Sequence, residues 1–97
     1  MQSEIEKANI VQSTAGRDRG KYFFVLELCG DYAFLVDGKL RKVEKPKSKK
    51  LKHMRLVGES DSRVAGKIRG DAKVLNSEVR RALAEYASNA AMDEGGT

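Results

Sequence analysis

The chain reads as a mainly β fold, a small barrel of about five short strands followed by a C-terminal α-helix. Three observations predict it. Between residues 8 and 57, β-branched and aromatic runs alternate with turn residues, the pattern of a small all-β unit. Apolar residues at helical spacing begin only near residue 76. The excess of positive charge lies wholly within the strand-rich part.

Residues 1–7 form an N-terminal tail, and Asn9-Ile10-Val11-Gln12-Ser13 is the first short strand. Tyr22-Phe23-Phe24-Val25-Leu26-Glu27-Leu28 is the richest aromatic and β-branched run and predicts a central strand. Gly30-Asp31 turns the chain into Tyr32-Ala33-Phe34-Leu35-Val36. Asp37-Gly38 then has the composition of a tight hairpin turn whose two central residues take positive φ. Leu40-Arg41-Lys42-Val43 is the expected returning strand, with Pro46 and a lysine-rich loop after it. In His53-Met54-Arg55-Leu56-Val57, Met54 and Leu56 alternate inward against His53 and Arg55 outward. Most of the aromatics belong to the core, and Tyr32, beside a turn, is the expected exception.

Residues 58–75 are polar and carry Gly66 and Gly70, which predicts a flexible connection anchored by Val64 and Ile68. Asn76 is suited to cap a helix over 76–91, with Glu78 in its first turn where an acid favours the dipole. Val79, Leu83, Tyr86, Ala87 and Ala90 share one face of that helix, and 92–97 form a frayed tail.

Ninety-seven residues suffice for one domain. With 40% hydrophobic and 34% charged residues, the composition is that of a soluble globular protein. The net charge is +5, distributed unevenly. From Gly16 to Arg55 there are twelve Lys and Arg against five Asp and Glu, a net of +7, and the remainder carries −2. Such segregation suits an anionic partner. The N-terminus has no apolar stretch of signal-peptide length, and no run approaches the roughly 20 apolar residues of a membrane span. Cys29 is the only cysteine, so no internal disulfide forms, and beside Leu28 it is expected to be buried. The expected compartment is the cytoplasm, without a membrane partner. Scattered acids and a single histidine supply no constellation for acid–base or nucleophilic catalysis, so neither an enzyme nor a cofactor is expected.

Between the first two strands lies Ala15-Gly16-Arg17-Asp18-Arg19-Gly20-Lys21. A tight loop there needs glycine's tolerance of positive φ, and Asp18 is suited to accept backbone N–H groups within the turn. In an extended loop Arg17, Arg19 and Lys21 alternate and project the same way, toward a phosphate backbone. A nucleotide-hydrolysing phosphate loop is excluded. It requires four residues between its glycines and Ser or Thr after its lysine, where this chain has three and then Tyr22.

The segment resembles the KOW signature, in which an apolar strand precedes glycine, a basic residue, often aspartate, a basic residue, glycine and lysine. Gly20 stands where that family has its defining glycine. The resemblance continues through Val36-Asp37-Gly38-Lys39-Leu40-Arg41-Lys42-Val43 and the basic run from Pro46 to Met54. Over residues 8–57 the chain is similar to the ribosomal large-subunit L-fourteen-e group and to short bacterial KOW-domain RNA-binding proteins. Tyr22 or Phe23 stands where many KOW sequences have a further glycine. The resemblance implies an SH3-like barrel from 8 to 57 and binding to structured RNA, ribosomal RNA above all.

The residues expected to contact RNA lie in two basic loops and the hairpin between them. Arg17, Arg19, Gly20 and Lys21 belong to the first loop, and Lys39, Arg41 and Lys42 to the hairpin. Lys45, Lys47, Lys49, Lys50 and Lys52 form the densest basic run, with no acid among them. His53 has three readings: phosphate contact, base stacking, or an outward position on the last strand. Metal binding by that lone imidazole is not expected. The alternative function is a protein-interaction module, since KOW barrels resemble domains that bind proteins. Its working surface would be the apolar face of the C-terminal helix. DNA binding by the same basic surface is a third reading, because charge does not distinguish the two nucleic acids.

Overall fold

The computed structural model describes residues 4–59 and 63–95. Residues 1–3 and 96–97 of the two expected tails, and the side chain of Ala90 on the expected stripe, lie outside the described residues. Five strands run in order along the chain: β1 (Ile10–Ser13), β2 (Tyr22–Cys29), β3 (Tyr32–Val36), β4 (Lys47–Lys50) and β5 (Met54–Gly58). A 3₁₀ turn at Leu51–His53 separates the last two. Two helices follow, α1 (Arg63–Arg69) and α2 (Asn76–Gly95). The strands form one antiparallel sheet in the order β4-β3-β2-β1-β5.

Strand alternation explains how a single sheet serves two cores. Phe23, Phe24 and Val25 are consecutive and all buried, and a period of two sends Phe24 to one face and its neighbours to the other. On the first face Phe24 joins Ile10 and Val36 beneath Val64, Ile68, Val79 and Leu83 of the two helices. On the second face Phe23 and Val25 join Val11, Leu35 and Met54, closed over by Ile5 from the N-terminal tail. Register irregularities at Ile10/Val11 and at Val25/Glu27 are of the kind that bends strands. The sheet does not close: β4 and β5 are its two edges. The fold is therefore mixed α and β around a central sheet, not a hydrogen-bonded barrel.

Several expectations are met by this arrangement. Gly30-Asp31 joins β2 to β3, Met54 is buried while Arg55 is exposed, and Tyr32 is 41% exposed. The apolar stripe of α2, whose partner the sequence left open, packs on its own sheet through Val79 and Leu83. Tyr86 sets its ring edge-on to Tyr22 at 5.8 Å and donates its hydroxyl to the Val57 carbonyl at 2.8 Å.

Others are corrected. No strand forms at Leu40–Val43. Asp37 Oδ1 accepts the Lys39 and Arg41 N–H groups at 2.9 and 2.8 Å. Asn76 Oδ1 accepts that of Val43 at 2.8 Å. Alternate donors of the expected strand are thus held by side chains, and 37–46 is a series of turns. Only Gly38 takes positive φ there; Asp37 does not. The returning strand is β4 instead, seven residues later and rich in lysine. Lysine is a poor strand former but a common guard of exposed edges.

The connection at 58–75 contains α1, whose Val64, Ala65 and Ile68 are buried. It ends with Asp71 at φ 58, and Ala72 N–H donates to the Lys67 carbonyl, so a left-handed residue closes the helix where glycine was expected to loosen it. Asn76 is the first helical residue of α2, not its cap. Leu75 precedes the helix, and Glu78 reaches back to its N–H at 3.0 Å in half of a capping box. Residues 92–95, expected to fray, continue α2. Cys29 is exposed because β2 extends beyond the core, where Glu27 and Cys29 both face solvent.

Candidate nucleic-acid interface

The turn after β1 is built from its own backbone. Arg19 N–H donates to the Gly16 carbonyl at 3.2 Å and Lys21 N–H to the Asp18 carbonyl at 2.9 Å, while Gly20 N–H reaches the Ser13 carbonyl at 2.8 Å. Gly16 and Gly20 lie at φ +86 and +90, conformations costly for any residue with a Cβ. The segment is coiled, not extended, so its three cations do not project together.

Asp18 holds this turn differently from the expectation. Its Oδ1 accepts the Ser13 hydroxyl at 2.7 Å and the Lys49 ammonium at 3.2 Å, not backbone N–H groups. Lys49 also donates to the Ala15 carbonyl at 2.9 Å. Both ends of the pair are shielded, with Lys49 9% and Asp18 15% exposed. Burial alone would raise the Asp18 pKa. The Ser13 and Lys49 hydrogen bonds and the charges of Lys49 and Lys47 outweigh it and hold the pKa below the ordinary value. A side chain, in place of a backbone ladder, thus spans from edge strand β4 to the turn after β1.

The opposite wall is the 37–46 loop, braced by the N-terminus of α2. Besides accepting from Val43, Asn76 donates to Glu44 at 2.9 Å, and Arg80 donates to the Gly38 carbonyl at 2.7 Å. A Cβ on Gly38 would collide with the Asn76 carbonyl and meet the Arg80 nitrogen at 2.9 Å. Glycine is therefore needed here for close approach of the helix as well as for φ +78.

Between these walls lies a cleft of about 280 Å³. Arg17 and Lys21 enter it from the first turn, Arg41 from the 37–46 loop, and Lys47 and Lys49 from β4. Leu40 supplies its exposed apolar surface with the buried Phe23 in its lining, and Asp18 and Asp37 supply its acids. Among the described residues, Arg17, Lys21, Arg41 and Lys47 make no ion pair. Three segments distant in sequence thus direct four cations outside any ion pair to one opening, which Asp37 shares.

The other expected contacts are placed elsewhere. Arg19, Gly20, Lys39, Lys42, Lys45 and Lys52 are exposed but do not line the cleft. Lys50 lies on the outer side of β4, its ammonium 6.0 Å from the centre of the Tyr32 ring. His53 ends the 3₁₀ turn, half-buried, where its carbonyl accepts the Thr14 N–H. Lys49 lines the cleft, but its ammonium is held by Asp18 and Ala15. Sequence reasoning missed Leu40 and Phe23 as cleft residues. Leu40 had one legible signal, an isolated large apolar residue between Lys39 and Arg41. The placement of Phe23 had none beyond its apolarity.

Among the described residues, no helix is long and apolar enough to cross a membrane. No protein-family model matches the chain, and no curated protein matches it.

Proposed function

We propose that this protein binds structured RNA through the cleft and the exposed cations around it. On this reading its sheet is an SH3-like barrel left open at the β4 edge, and ribosomal RNA is the target the KOW resemblance implies. The observation that carries the reading is the convergence of Arg17, Lys21, Arg41 and Lys47 from three segments, an excess over the two acids that line the same cleft, Asp18 (paired with Lys49) and Asp37. Cations gathered on one face are repelled by one another and gain when a phosphate backbone neutralises them. Their bracing by Lys49 and by α2 lets them meet phosphates at set spacings, which favours folded RNA recognised by shape.

The test is salt-dependent binding to a structured RNA by fluorescence anisotropy. With about five to eight phosphates neutralised, log K against log[salt] falls with a slope of roughly −4 to −7. Replacing Arg17, Lys21 and Arg41 together by alanine flattens that slope by about three. A slope near zero for the unmodified protein overturns the proposal.

A further inference from the structure

Charge is not uniform through the cleft. Arg17, Lys21, Arg41 and Leu40 are exposed and stand at its mouth, whereas Phe23 is 1% exposed and Lys49 is buried in its pair with Asp18. The mouth is cationic; the depth is a neutralised ion pair beside an aromatic ring. Leu40 is 69% exposed on a loop that Asp37 and Asn76 hold in place. Nothing among the described residues covers it, although the next residue on each side is a cation.

From this gradient we infer that the cleft receives a single unpaired nucleotide extruded from the RNA. Its phosphate meets Arg17, Arg41 and Lys47, and its base packs against the exposed Leu40. The inference rests on the RNA-binding reading and names the RNA feature that occupies the site. A continuous duplex presents phosphates but keeps its bases stacked inside, so it leaves the apolar part of such a cleft unfilled. An unpaired residue presents both, and the splayed-out bases of loops and bulges are what proteins most often recognise in RNA beyond its shape. Lys49 is the gradient's origin. Its pairing with Asp18 removes net charge from the depth and leaves the cations to the mouth.

The experiment uses the full chain and two RNA hairpins that differ only in a single bulged 2-aminopurine nucleotide. Affinity is read by anisotropy and base environment by 2-aminopurine fluorescence. The bulged hairpin binds about tenfold more tightly, as expected for one base gaining an apolar platform, and its fluorescence changes on binding. Leu40→Ala brings the two affinities together, while Leu40→Phe keeps them apart; circular dichroism establishes that both variants are folded. Equal affinities for the two hairpins with the unmodified protein overturn the inference and leave RNA binding standing. A tenfold preference that survives Leu40→Ala overturns it as well. Failure of either hairpin to bind in a salt-dependent way removes the RNA-binding reading and the inference with it.

Discussion

The two walls of the cleft are made by different means. The wall from Ala15 to Lys21 closes its turns with its own backbone and needs its glycines only for their own φ values, so its one distant brace is a side chain, Lys49 of β4. The wall from Asp37 to Pro46 is held from a distance, by Asn76 and Arg80 on a helix more than thirty residues later. A motif read from sequence therefore describes one wall well and the other poorly. The half of the molecule that bears the cleft also depends on a helix that carries none of its cleft cations.

Removing that helix has the largest expected effect. A chain ending at Gly58 loses the cover over Ile10, Phe24 and Val36, each fully buried beneath the helices. Burying one such side chain is worth about 1.5–3 kcal/mol, and a whole domain has about 5–15 kcal/mol of stability. The truncated chain is expected to lose its cooperative urea transition. An intact transition would show that the sheet stands without α2 and that the distant bracing is dispensable.

Next come the two glycines. Gly38→Ala forces a Cβ into the Asn76 carbonyl as well as straining a φ of +78, and should destabilise by about 3 kcal/mol or more. Gly20→Ala meets no atom within 4 Å and strains only its φ of +90, a cost of about 1–2 kcal/mol. Urea midpoints that fall equally would erase the distinction between a wall held locally and one held by packing.

The finest contrast separates two lysines two residues apart on β4. Lys47→Met should change stability by under about 0.5 kcal/mol yet weaken RNA binding, because its ammonium makes no ion pair. Lys49→Met should do the reverse, leaving Asp18 shielded and unpaired at a cost of about 3 kcal/mol. The Asp18 pKa is lowered in the folded protein, so its contribution is present above the unfolded value of about 3.9. That contribution is lost as pH falls through the still lower folded value. Urea midpoints from pH 7 down to 3 should accordingly drop less steeply in Asp18→Asn than in the unmodified protein. Identical acid limbs would mean that the Asp18–Lys49 pair does not brace the turn.

The amino-acid sequence alone determined what depends on neighbours along the chain. The two-faced burial of Phe23-Phe24-Val25 follows from strand alternation. The turn at Gly16–Gly20 follows from the φ values only glycine holds cheaply, and the stripe of α2 from helical spacing. Segregation of charge into residues 16–55 was likewise legible. Tertiary structure decided the rest. The Leu40–Val43 segment has the composition of a strand, yet Asn76 takes the Val43 N–H that a ladder would have used. Lys47–Lys50 has the composition of a loop, yet the open edge of β3 pairs with it. Lys49 resembles its neighbours in the basic run until strand alternation turns it inward to Asp18. In each case the outcome rests on which donor meets which acceptor across tens of residues. Local propensities are worth only tenths of a kcal/mol per residue, whereas a buried polar group left without a partner costs about 1–3 kcal/mol.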